Sequence, residues 1–493
     1  MESHAVQSAF YLICRPLQQH ILLLKIHDRF PAELRPGLWR EKAESQFAEE
    51  LIIACLQTAL HELPEAQRNL SLFFSVEFFE LINCLSIECD VVHGSPCRIW
   101  NSLTQGHDRV YYNESIMTEE KTDIHHPFED GENIYRLAAE LKMQERKIID
   151  FSASVNPLGV SKKVKADLRK HLKYLYNYPD PEAERLRKRL AQHFAIDPET
   201  ILCGNGSTEL LYLIPRVLNP AHVLIPAPTS PEYERACRML SETRISYFEL
   251  KEEDGFHLDA DRFIEAMPEG DSEFNTPNTS SPCAIAFLCN PNNPTGRLLS
   301  RHEIVKISDA ARNRKCYLVV DEAFIDFCPD GSVIKDAAGN PFLILLRSMS
   351  HFYSLAGLRI GYGIFPQHLV RRLRAHREPW TVVNSLAQRA ALTALKDKGY
   401  RKETTVLMAE EKRFIEKYFR KLGIEFIPSD ANYYLLKMRN AGEIASVLKK
   451  RGILVRDCTD VKGLGNPYLG IAVKSHRENA VLMRELSGIL SNR

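Results

Sequence analysis

The chain has 493 residues, enough for two or three structural units with a sizeable core. Lysine and arginine together number 64, as do aspartate and glutamate, so the formal charge is zero. That balance gives no support to general nucleic-acid or anionic-membrane binding. A charged fraction of 26% and a hydrophobic fraction of 44% are ordinary for a soluble globular protein.

The N-terminal stretch lacks the basic-then-apolar pattern of a secretory signal. The most apolar run, Leu70–Leu85, carries Glu77, Glu80 and Asn83, too polar for a membrane span, and reads as buried core. The 12 cysteines form no C-x-x-C pair, which points to free thiols in a reducing cytoplasm. A cytoplasmic protein is expected. Residues 1 to about 120 form one block, read as an extra α+β domain of open function. Its clearest element is a helix from Arg35 to Leu63, where Trp39, Ala43, Phe47, Leu51, Cys55, Ala59 and Leu63 repeat every four residues. Pro64 ends it. Cys89, His93 and Cys97 lie close together but lack ligand spacing, so no metal site is expected.

Ser115 to His126 is polar and charged, as a linker would be. From Gly131 onward apolar runs alternate with amphipathic ones. Ile201–Cys203, His222–Ile225, Cys283–Cys289, Cys316–Val320 and Phe342–Leu346 are short buried-strand candidates. Helical patterns such as Thr208–Leu218 and Arg301–Asn313 lie between them. This alternation predicts an α/β domain with a mostly parallel sheet flanked by helices. Pro268 to Pro282 reads as a surface-loop insertion. After about Pro366 the pattern is helix-rich, with a mixed segment from Ile424, consistent with a small C-terminal α/β subdomain. The expected divisions are 1–120, 121–365 and 366–493.

Four motifs fall at predicted strand ends, where ligands bind in open α/β sheets. Gly204-Asn205-Gly206-Ser207-Thr208 opens a helix; its N–H groups and two hydroxyls suit a phosphate, although an N-capped turn would read the same way. Asn290-Pro291-Asn292-Asn293-Pro294-Thr295-Gly296 is an uncommon string, and the Asn293 amide can donate to a phenolate oxygen. In Val320-Asp321-Glu322, Asp321 can pair with a protonated pyridine nitrogen; a capping role is the alternative. In the segment from Ser348 to Gly361, Ser348 and Arg359 can hold two sides of a phosphate.

The order and spacing of these motifs resemble fold type I, class II aminotransferase-like enzymes dependent on pyridoxal 5'-phosphate (PLP). The resemblance is strongest to the L-threonine-O-3-phosphate decarboxylases of cobalamin biosynthesis, with the histidinol-phosphate aminotransferases as near relatives. Further markers are Asp150 to Gly159, Tyr178-Pro179-Asp180-Pro181, Glu378-Pro379-Trp380 with Asn384 and Gln388, Pro428 to Tyr433, and Arg456-Asp457-Cys458. The resemblance covers about Gly131 to the C-terminus and implies that Ser207, Thr208, Ser348 and Arg359 hold the PLP phosphate. It places Asn293 at the ring oxygen O3′ and Asp321 at the pyridine nitrogen. Tyr178 would reach the phosphate in a neighbouring subunit, so a homodimer is implied. Asn156 falls with the substrate-binding residues.

Three positions depart from the family pattern. His351 stands where the lysine that forms the Schiff base belongs, three residues after Ser348 and eight before Arg359. No lysine occurs between Lys335 and Lys396 to substitute. Imidazole has no primary amine but can transfer a proton, its unperturbed pKa lying at about 6.5. Ser230 stands where an aromatic residue stacks on the cofactor ring, with Tyr233 nearby at the wrong spacing. Gly470 stands where an arginine grips the substrate carboxylate, with Arg456 and Lys474 as stand-ins. Three readings follow. One is a PLP enzyme acting on an amino-acid phosphate or related amine, its cofactor held non-covalently and His351 as catalytic base. Another is a non-catalytic pseudoenzyme that keeps the pocket for binding or regulation. In the last, the activity resides in residues 1–120.

Overall fold

The computed structural model describes residues 133–240, 243–270, 283–378, 382–465 and 467–491. The expected first domain, its 35–63 helix and the Cys89, His93 and Cys97 group lie outside the described residues, as do Pro379 and Trp380. So does the 271–282 part of the expected loop insertion.

Seven strands form the large sheet: β1 (Ile201–Gly204), β2 (Pro220–Ala227), β3 (Arg244–Glu249), β4 (Cys283–Cys289), β5 (Cys316–Asp321), β6 (Leu343–Ser348) and β7 (Gly361–Ile364). Their spatial order is β1-β7-β6-β5-β4-β2-β3. All pairings from β6 through β3 are parallel. β7 runs antiparallel to both its neighbours, so it is the one reversed strand of the sheet.

The central strands are continuous apolar runs because both of their faces are covered. β4 is buried at every position. Alternate residues feed two cores on opposite faces. Ala284, Ala286, Leu288, Leu318 and Val320 join one core; Ile285, Phe287, Tyr317 and Val319 join the other. Two strands were not legible in the sequence. β7 contains two glycines in four residues, and β3 is an edge strand with no buried position. Neither composition nor alternation marks them.

A second, antiparallel sheet carries β8 (Glu425–Phe426), β9 (Tyr433–Lys437), β10 (Arg456–Asp457) and β11 (Tyr468–Ala472), in the order β10-β11-β9-β8. Helices Lys398–Leu422, Ala441–Lys450 and His476–Ser491 accompany it through a core that includes Ile415, Phe419, Ile444 and Leu482. Ile149–Asp150 pairs in parallel with Ile453–Leu454, which ties the start of the described chain to this smaller sheet. No described helix is long and apolar enough to cross a membrane.

Candidate functional site

The carboxyl ends of β1, β5 and β6 and the loop after β4 lie at one end of the large sheet. A cavity of about 310 Å³ opens there, closed on its other side by Phe151–Val155, Arg456 and Gly470. Ser207, Thr208, Asn293, Ser348, His351, Arg359 and Arg456 all line it. Seven of the residues expected from sequence are therefore brought together.

At one end the chain builds an anion cradle. Helix α1 (Gly206–Leu218) starts two residues after β1, so Ser207 and Thr208 sit in its first turn beside N–H groups with no intrahelical acceptor. Gly206 has φ +80°, and a Cβ there would meet Arg359 Nη2 at 2.5 Å. A Cβ at Gly361 would lie 2.3 Å from the Ser207 nitrogen. These two glycines let the guanidinium and β7 close on the helix start. Arg359 itself holds a left-handed backbone, φ +54°, and its Nη1 donates to the Ala356 carbonyl at 3.2 Å. The buried Ser348 hydroxyl accepts from the Ser350 N–H at 3.2 Å. Helix-start amides, hydroxyls and one guanidinium are a phosphate donor set.

The middle of the site is polar and rigid. Arg456 Nη1 donates to Asn293 Oδ1 at 2.8 Å, which fixes the amide and leaves its NH2 as the donor for a ligand oxygen. Asp321 ends β5. Its Oδ1 accepts from the Ala323 N–H at 3.0 Å and its Oδ2 from the Tyr233 hydroxyl at 2.9 Å. Burial pushes this carboxyl up to about 6 against the pull of those donors. Tyr233 is fully buried and stacks on Phe287 with centroids 5.2 Å apart. It therefore serves Asp321 from within the core, outside the cavity lining, and does not replace the missing ring-stacking residue. Asp321 itself is not among the residues that line the cavity.

His351 lies against Phe324, with ring centroids 4.1 Å apart. Its Nδ1 is 3.1 Å from the Ser154 carbonyl, an acceptor, so Nδ1 carries the proton and Nε2 is the basic nitrogen. Burial pushes the imidazole down to about 4, and the Arg359 charge adds to the shift. The ring is neutral at pH 7.

Gly470 on β11 is the register partner of Arg456 on β10. A Cβ at Gly470 would stand 3.3 Å from Arg456 Cβ and 3.5 Å from its Cδ. The glycine thus clears the path along which Arg456 reaches Asn293.

The other expected residues stand elsewhere. Lys474 Nζ donates to the Ala153 carbonyl at 2.8 Å, and burial lowers its pKa. Asn156 donates to the Phe352 carbonyl at 2.9 Å and to Thr404 Oγ1 at 2.7 Å. Of the three expected substrate residues, Arg456 lines the cavity, whereas Asn156 and Lys474 brace the wall behind it. Tyr178 is 81% exposed and is also absent from the lining. Sequence reasoning had Tyr433 only as the end of a family marker; it lines the cavity and donates to the Asn292 carbonyl at 2.8 Å. Sequence reasoning missed the positioning contact of Tyr233 with Asp321; only the nearness of Tyr233 to the expected stacking position drew notice to it.

Residues 146–482 match the family model described as aminotransferase class I and II. The chain belongs to this family. It is 34% identical over 365 residues to threonine-phosphate decarboxylase of Salmonella typhimurium, a match covering 73% of this chain and 96% of that protein. The histidinol-phosphate aminotransferase of Clostridium acetobutylicum superposes with a TM-score of 0.63 at 26% identity, over 70% of this chain and all of that one. The enzyme of that name from Sinorhizobium meliloti, solved in complex with pyridoxal-5'-phosphate, shares the fold with a TM-score of 0.62 at 21% identity. The fold is that of the fold type I enzymes, as expected.

The cofactor this family implies is pyridoxal 5'-phosphate, and the residues present fit it. The cradle that two glycines let close carries the donors a phosphate needs, Asn293 offers an amide donor, and Asp321, behind the lining, offers a carboxylate. The family match begins at residue 146.

Proposed function

We propose that this protein binds PLP without a covalent link and acts on an amino-acid phosphate or a related amine. The observation that carries this reading is the convergence of Ser207, Thr208, Ser348, Arg359 and Asn293 on one cavity that also holds His351 and, among the described residues, no lysine. When bound, the cofactor supplies an electron sink for bond cleavage at the carbon that bears the substrate amine. The cradle residues fix the phosphate, and Asn293 orients the ring oxygen. Asp321, ionised beside a ring cation, keeps the nitrogen protonated. Arg456 supplies a cation for a substrate anion. His351, with Nδ1 held by Ser154, presents Nε2 as a proton acceptor within the cavity.

The exposed apolar run Leu172, Leu175, Tyr176 and Tyr178 supports a homodimer in which Tyr178 serves the neighbouring site. One observation favours the non-catalytic reading instead. An imidazole pushed down to about 4 is a weak base at neutral pH.

The test is spectroscopic. The protein is saturated with PLP, treated with borohydride and weighed by mass spectrometry. No covalent cofactor adduct is expected, whereas His351→Lys should acquire one. An adduct on the unaltered protein would overturn the non-covalent reading. Release of CO₂ or amine from threonine phosphate then separates the enzyme from the pseudoenzyme. Turnover supports the enzyme; no turnover at saturating PLP supports the pseudoenzyme.

A further inference from the structure

A second cavity, also of about 310 Å³ and sharing no residue with the first, lies between helices Glu184–Phe194 and Ser385–Ala394. Its lining includes Arg185, Lys188 and Arg189 from the first helix and Arg389, Thr393 and Lys396 from the second helix and the turn after it. On each helix the lining residues recur at i, i+3, i+4 and i+7, so each turns one continuous face to the cleft. Five of the lining residues are cations and none is an acid.

Two of the five have a carboxylate partner. Lys188 pairs with Glu184 at 2.5 Å and Arg389 with Asp167 at 3.1 Å. Arg185, Arg189 and Lys396 have none among the described residues. The Nε atoms of Arg189 and Arg389 are both shielded from solvent, and neither makes a hydrogen bond. Both side chains are only part-buried, so it is the shielded Nε atoms that lack an acceptor, and a shielded N–H donor without an acceptor is destabilising. Like charges crowded on two adjoining helix faces repel as well. A ligand that relieves both must be small and anionic, with several acceptor oxygens and about three negative charges.

We infer that this cleft binds a compact phosphoanhydride of the pyrophosphate type, apart from the cofactor pocket. Arg189 and Arg389 grip it through their forked guanidinium donors, whose geometry matches phosphate oxygens. Arg185, Lys188 and Lys396 complete the charge balance from the rim.

Calorimetric titration of the PLP-saturated full chain with pyrophosphate tests the assignment, because the cradle of the first pocket is then filled. Saturable binding is expected, weakening as sodium chloride is raised. Arg189→Gln and Arg389→Gln should each lower the affinity about tenfold or more while leaving the PLP absorbance titration unchanged. The melting temperature supplies an independent sign. Without pyrophosphate, Arg185→Gln and Lys396→Gln should melt at or above the unaltered protein, because each removes repulsion. All four variants should lose part of the upshift that pyrophosphate gives. No binding at millimolar pyrophosphate, or binding unchanged in all four variants, would overturn the inference.

Discussion

The two ends of the cofactor cavity are built on different principles. The phosphate end rests on a helix start, a strand end, a glycine that admits Arg359 and a second that lets β7 approach the helix start, so backbone as well as side chains supplies its donors. The substrate end rests on single side chains, and there His351 and Gly470 stand where the family resemblance expects a lysine and an arginine. Anion binding spread over backbone amides survives the loss of any one side chain, whereas a reactive amine does not. On the proposed function, retention of the cofactor and its chemistry are therefore separable in this pocket, and each end can be tested without the other.

The largest expected effect lies at the substrate end and appears as pH dependence of stability. His351 is pushed down to about 4 in the folded protein, below its ordinary value, by burial. As pH falls from about 6.5 to 4 the unfolded chain takes up this proton and the folded chain does not, so stability falls. The loss attributable to the imidazole is about 3 kcal/mol at pH 4. Asp321 acts with the opposite sign. Its folded value near 6 means that the folded protein binds the extra proton between about pH 4 and 6, which stabilises it as pH falls. Denaturant unfolding of His351→Gln should show a shallower acid loss than the unaltered protein, and Asp321→Asn a steeper one. Identical profiles for all three would break the picture of an enclosed neutral imidazole.

Next comes the phosphate end. Arg359→Gln removes a charge-assisted donor, worth about 1.5–3 kcal/mol, so the PLP dissociation constant should rise about tenfold to a hundredfold. His351→Gln should leave it nearly unchanged. Absorbance titration with PLP reads both. If His351→Gln weakened binding as much as Arg359→Gln, the two ends would not be independent.

A smaller effect is expected between them. A branched side chain in Gly470→Val would enter the space of Arg456 Cβ and Cδ, each within 3.5 Å of a Cβ at this position. Arg456 should then leave Asn293. Binding of threonine phosphate to the PLP-loaded protein, followed by calorimetry, should weaken about tenfold. PLP affinity should change less, because the phosphate cradle is untouched.

The legibility of the site in the sequence divides along the same line. Ser207, Thr208, Ser348 and Arg359 were legible because strand ends and helix starts leave local patterns: an apolar run, a glycine turn and a hydroxyl. The large sheet was legible where strands are buried on both faces. It was not legible at β7, whose glycines serve close approach of chain segments, or at the edge strand β3. Asn156 and Lys474 could not be placed because their polar atoms go to backbone carbonyls supplied by distant segments, Phe352 and Ala153. Periodicity carries no record of such partners. Gly470 read in isolation is a lost arginine. Beside Arg456 in the strand register it is also the space that lets another arginine reach the pocket.

The smallest effect tests how Asp321, the proposed ring-nitrogen partner, is held. Tyr233 donates to Asp321 Oδ2 at 2.9 Å from a fully buried position, so it favours the ionised carboxylate. Tyr233→Phe keeps the ring on Phe287 and removes only the donor. A net hydrogen bond is worth about 1 kcal/mol, and Asp321 should titrate higher without it. The stability cost should therefore be largest near pH 8, where the carboxylate is ionised in both proteins, and should shrink toward pH 5, where it is protonated in both. Denaturant midpoints at the two pH values measure this difference. A loss equal at both would mean that Tyr233 acts through packing alone, and that the Ala323 N–H suffices to hold Asp321 for the cofactor.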